Sequence, residues 1–167
     1  KSFKKIYHNA VIEVSSDMLG AARGLCQNQP GVVAILGTGA NSCLFDGQNM
    51  THQGTALGYI LGDDGSGAHL GKELIRTYFF NELPKEIHQD FENNYHLSRQ
   101  DLLENVYHQP HPNRYLAGFT KFLVKHQQNK NIRNIIHKCF FNFFEYHILK
   151  IPDFEKYRLY FTGSVSH

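Results

Sequence analysis

The stretch Gly31-Val32-Val33-Ala34-Ile35-Leu36-Gly37-Thr38-Gly39-Ala40-Asn41-Ser42 decides the fold. Its first six residues form a near-continuous apolar run, as expected of a central strand covered on both faces. Gly37-Thr38-Gly39 interrupts the run. Asn41 to Phe45 resumes as a second strand, and Asp46-Gly47 supplies a hairpin signal. A third strand is expected to start at Thr51 to Gly54. This alternation of strands and turns predicts a meander at the start of a domain.

Toward the N-terminus, Ala10 to Val14 reads as a short buried strand. Ser15-Ser16-Asp17 offers capping residues, and Met18 to Leu25 reads as a helix. Gln27-Asn28-Gln29-Pro30-Gly31 is polar and ends in a Pro-Gly turn signal, which places a domain boundary there. Toward the C-terminus, a glycine-rich stretch from Gly54 to Gly67 leads into a helix over about Ser66 to Phe80. Ser98-Arg99-Gln100-Asp101 carries a capping pattern for a helix to about Tyr107. Further helices are expected at about Asn113 to His126 and Asn131 to Leu149, and a final strand at Arg158 to Thr162. Strands, then helices, then a strand imply a layered α/β fold. The sequence opens at Lys1 and stops shortly after that last strand, which reads as a fragment cut at a βα turn.

Composition narrows the function classes. The 167 residues are 41% hydrophobic and 19% charged, enough for a globular unit with its own core. A net charge of +2 without a Lys/Arg stripe argues against nucleic acid as a partner. Cys26, Cys43 and Cys139 are widely spaced, and no Cys-x-x-Cys pair occurs, so neither a zinc site nor a disulfide framework is expected. A reduced, cytoplasmic setting fits that usage. No apolar stretch is long enough to span a bilayer. The eleven His residues are scattered, and no metal site is expected from them.

Several motifs could carry chemistry. A strand-to-strand turn with Gly37 and Gly39 exposes backbone N–H groups and lets an anion approach closely, and Thr38 adds a hydroxyl. An ordinary tight hairpin accounts for the same residues equally well. A dinucleotide fingerprint fits less, because its third glycine would fall at Ser42 and a strand follows. Gly65 to Lys72 imitates a phosphate-binding loop but has Ser66 where a Gly is required and Glu73 where Ser or Thr is required. Gly62-Asp63-Asp64-Gly65 sets two carboxylates in a turn before a helix. For Asp64 a capping role is expected, and the pair could also bind sugar hydroxyls. Asp17 opens a helix after a strand-like run, so it reads either as a cap or as a carboxylate at the ligand-binding end of an α/β sheet.

Taken in order, Ser16 to Arg23, Gly31 to Ser42 and Leu57 to Gly67 resemble the N-acetylglucosamine kinase family and the related BadF/BadG/BcrA/BcrD-type ATPases. Phe161-Thr162-Gly163-Ser164-Val165 resembles the adenosine-contacting glycine turn of the same superfamily. The chain departs from the family pattern at Ala40, Asp64 and Ser164, and at Leu57, where animal enzymes carry a sugar-contacting Trp.

The resemblance implies a ribonuclease H-like, actin-type ATPase fold. Residues 1–29 would end the N-terminal lobe, and residues 30–167 would form an incomplete C-terminal lobe with a helical insertion. It implies ATP-dependent phosphorylation of an amino sugar, with ATP and Mg2+ as cofactors and a small-molecule sugar as the partner, and it leaves room for a homodimer. Asp17 would be the general base. Gly37, Thr38 and Gly39 would form a phosphate loop, and Gly163 would lie against adenosine. Asn41, Gly58 and Asp63 would line the sugar. The alternatives are an ATPase that activates a partner enzyme, and a catalytically silent sugar- or nucleotide-binding fragment. The fragment alone is expected to be inactive.

Overall fold

The computed structural model of the chain describes residues 2–166. A short helix α1 (Ser2–Ile6) precedes helix α2 (Asp17–Cys26). Strands β1 (Gly31–Leu36), β2 (Ala40–Phe45) and β3 (Met50–Gln53) follow as an antiparallel meander. Helices α3 (Gly58–Leu61), α4 (Gly67–Phe79), α5 (Lys85–Tyr95), α6 (Arg99–Tyr107), α7 (Pro112–Ala117), α8 (Thr120–Lys125) and α9 (Lys130–Phe143) come next. The chain then returns as β4 (Leu159–Thr162), which runs parallel to β1. The sheet order is β3-β2-β1-β4. The fold is therefore mixed α/β, with four strands and a helical region between β3 and β4.

Period-two alternation explains why β1 looks apolar throughout. Val33 packs with Cys43 and Phe45 against Met18, Ala22 and Cys26 of α2. Val32, Ala34 and Leu36 face the other way, onto Phe143, Ile148 and Ile151. Both faces of the strand are covered, so both sets of side chains must be apolar. The helical region has a core of its own, in which Leu70 and Leu74 of α4 meet Phe91, Phe119, Phe122 and Ile132. Edge and tilted contacts between Phe91, Tyr95, Phe119 and Phe122 hold its centre.

The structure departs from the sequence expectation in several places. Ala10 to Val14 is not a strand. It pairs with no strand among the described residues, and Val11 and Val14 are 100% and 89% exposed. A strand needs a neighbour for its backbone groups, and apolar alternation alone does not provide one. The helix expected over 113–126 breaks into α7 and α8 at Gly118-Phe119, and the one expected over 131–149 turns into a π-helical turn at Phe144–Ile148. Helix α5 went unread because only Ile87 and Phe91 of its eleven residues are buried. Among the described residues, no helix is long and apolar enough to cross a membrane.

Candidate functional site

The turn between β1 and β2 is built by its surroundings. Leu36 pairs with Ala40, which leaves Gly37-Thr38-Gly39 to reverse the chain. The Gly37 N–H donates to the Gly39 carbonyl at 2.9 Å. The Gly37 and Thr38 carbonyls accept from the Gly67 and Ala68 N–H groups at 2.8 and 3.1 Å. The first turn of α4 is thereby clamped to the glycine turn, and two of its otherwise unpaired helix-end donors are satisfied. The Thr38 and Gly39 N–H groups have no partner among the described residues. The turn thus leaves two backbone donors unpaired.

A crevice of about 550 Å3 opens at this turn. Its lining includes Asp17, Gly37, Thr38, Gly39, Asn41, Gly58 and Asp63. Residues from α2, the β1–β2 turn, β2 and the segment after β3 thus converge, although 46 positions separate Asp17 from Asp63. Asp17 is exposed at the start of α2, where its Oδ1 accepts from the Met18 N–H at 2.8 Å. It is not the helix cap: Ser16 holds that position, and its hydroxyl oxygen accepts from the Leu19 N–H at 3.2 Å. Asn41 Oδ1 accepts from the Ser42 N–H at 2.8 Å, which fixes its rotamer and leaves its amide NH2 free.

Asp63 stands in a left-handed conformation with φ 55°, a geometry that costs energy in a non-glycine residue. Its carboxylate lies against Gly39, so close that a Cβ there would sit 2.9 Å from Oδ2. Gly163 is absent from the crevice wall but lies behind it. With φ 110° and a backbone packed onto Leu36 and Gly37, it has no room for any side chain. The Val165 N–H then donates to the Leu36 carbonyl at 2.9 Å. Gly163 therefore adjoins the glycine turn.

Asp64, read from the sequence as a cap, has another place. Ser66 caps α4, its hydroxyl oxygen accepting from the His69 N–H at 3.1 Å. Asp64 sits between two buried imidazoles, 3.8 Å from His69 Nδ1 and 3.7 Å from His147 Nε2. No local pattern points to His147, which lies 83 positions from Asp64 in a π-helical turn.

Burial pushes both imidazoles below the ordinary His range, while Asp64 pulls each of them back up. The folded chain therefore takes up these protons less readily than the unfolded chain. Below the unfolded value of about 6.5 the unfolded state binds more protons, so stability is full above that pH and is lost on acidification. The expected result is a lower melting midpoint at pH 5.5 than at pH 7.5. The His147→Phe variant is expected to lose less over the same interval. Thermal melts followed by circular dichroism check this.

Elsewhere, a larger groove of about 640 Å3 lies between α4 and α9. Its charged groups already neutralise one another: Glu73 pairs with Arg76 at 2.9 Å and with Lys138 at 3.3 Å. The three thiols are buried, and burial raises Cys43 to about 11 and Cys139 to about 12, so these two stay protonated and unreactive at neutral pH.

No family model and no curated protein matches the chain. Solved structures do. One is described as the "Putative N-acetylglucosamine Kinase" from Porphyromonas gingivalis. It is 39% identical, superimposes with a TM-score of 0.94 and is aligned over 99% of this chain and 58% of its own. A second, described in the same words from Chromobacterium violaceum, is 13% identical with a TM-score of 0.77 and shares the fold. It is aligned over 98% of this chain and 59% of its own. Nearly the whole chain is therefore similar in sequence and fold to the first of these proteins and in fold alone to the second, and it spans a little over half the length of each.

Proposed function

We propose that the chain is the part of an ATP-dependent amino sugar kinase that carries the general base, one phosphate loop and much of the sugar site. One observation carries the reading. Seven residues named from the sequence for phosphate, sugar and proton transfer line a single crevice, and the eighth, Gly163, packs against its floor. Kinship to proteins described as N-acetylglucosamine kinases supports the same substrate class. The two ribonuclease H-like lobes divide at residues 29/30 in this reading. Helix α2, whose first residue is the base, packs on the sheet of the second lobe.

The groups present suit the chemistry. A sugar hydroxyl becomes a competent nucleophile when a carboxylate takes its proton, a contribution of about 10²–10⁴-fold. Asp17 is exposed to the crevice and its Oδ2 has no protein partner among the described residues, which suits that role. The Asn41 amide and the Asp63 carboxylate offer a donor and an acceptor to sugar hydroxyls. The unpartnered Thr38 and Gly39 N–H groups suit phosphate oxygens, where fixed donors offset developing charge. Mg2+, when bound, neutralises the phosphates. Among the described residues no cluster of three or more His, Cys, Asp or Glu is arranged to hold a metal.

The test is a coupled ADP-release assay on the full-length protein with N-acetylglucosamine. Sugar-dependent ADP release with stoichiometric sugar phosphate is the expected result. ADP release that ignores every added amino sugar would favour an ATPase acting on a partner enzyme. No turnover and no binding of either ligand by calorimetry would leave a silent module.

A further inference from the structure

His147 is the more deeply buried of the two buried imidazoles, and the proposed chemistry leaves it unused. It is 4% exposed, and its ring stacks on Phe143 at 5.1 Å with 19° between planes. Neither ring nitrogen has a hydrogen-bond partner among the described residues. An imidazole carries at least one N–H, and burying it unpaired is costly. Native cores rarely leave such a group without a partner.

The surroundings show which partner is within reach. Nε2 faces Asp64 Oδ2 at 3.7 Å, about 0.5 Å beyond hydrogen-bond range. His69, the other imidazole beside Asp64, is already committed. Its Nδ1 accepts from the Gly65 N–H at 3.0 Å, so that nitrogen holds no proton to give Asp64. His147 is left as the imidazole able to donate to the Asp64 carboxylate. Asp64 in turn adjoins Asp63, whose left-handed backbone aims its carboxylate at the glycine turn.

We propose that His147 is a positioning residue for the sugar site: its Nε2–H closes onto Asp64 when the crevice is filled and holds the Asp63 carboxylate in place. This rests on the sugar-kinase reading. The imidazole does not touch substrate. It acts through the Asp63-Asp64 turn.

Two variants of the full-length protein test it. His147→Phe keeps the ring and its stack on Phe143 but removes the donor, and His147→Gln restores a donor near the Nε2 position. The expected result for His147→Phe is an intact fold with KM for N-acetylglucosamine raised about tenfold and KM for ATP unchanged. His147→Gln is expected to recover most of the loss. Unchanged sugar KM in His147→Phe would overturn the proposal, and so would equal losses in both variants, which mark a packing role. Wild-type protein without sugar turnover would instead defeat the kinase reading. Imidazole 15N shifts of this chain separate the two cases. The proposal requires a proton on Nε2 of His147 and a change there in Asp64→Asn, and a proton on Nδ1 alone would refute it whatever the enzyme does.

Discussion

Asp17→Asn is expected to abolish sugar phosphorylation by the full-length protein while leaving the chain folded. The asparagine keeps an Oδ1 to accept from the Met18 N–H, and Ser16, not Asp17, caps the helix. Its cost to stability is confined to the lost interaction of a negative charge with the helix N-terminus, about 0.3–1 kcal/mol. What disappears is the proton acceptor, so kcat is expected to fall by about 10²–10⁴-fold with the KM values nearly unchanged. Steady-state kinetics beside a thermal melt checks both halves. Wild-type turnover in this variant would remove Asp17 from the mechanism.

The second large effect is on stability. Alanine normally favours a helix interior over glycine by about 0.5–1 kcal/mol. At Gly71 the sign is expected to reverse. Helix α4 passes so close to α7 that a Cβ at this position would overlap the Leu116 carbonyl. A rigid backbone on one side and a helix on the other leave no rotamer to absorb the methyl. Overpacking of this kind costs about 3 kcal/mol, which for a domain of this size lowers the melting midpoint by roughly 6–12 °C. Gly24 in α2 is the internal control. Nothing lies within 4 Å of a Cβ there, and Gly24→Ala is expected to raise the midpoint slightly. Opposite shifts in the two variants, measured by calorimetry, would confirm that α4 is packed directly onto α7.

The parts legible in the sequence are those set by local chemistry. The β1 run, the glycine turn and the Asp46-Gly47 hairpin are each specified within a few residues, and all three are where they were expected. Asp17 and Asp63 were nameable because each sits at a turn beside glycine or a helix start. Long-range packing decided the rest. Ala10 to Val14 has the pattern of a strand but no neighbour to pair with. His147 became interesting only when the π-helical turn carried it to Asp64. The Asp64 cap was misread because Ser66, two residues on, reaches the helix donors with better geometry. The shared crevice itself was legible only through the family resemblance, since no spacing rule links Asp17 to Asn41 or Asp63.

The most direct measurement is a crystal structure of the full-length protein with N-acetylglucosamine and a non-hydrolysable ATP analogue. The account predicts a sugar hydroxyl within about 2.6–3.2 Å of the Asp17 carboxylate, the sugar bonded to Asn41 and Asp63, and phosphate oxygens on the Thr38 and Gly39 N–H groups. A sugar bound away from Asp17, or a nucleotide that leaves the glycine turn untouched, would contradict it.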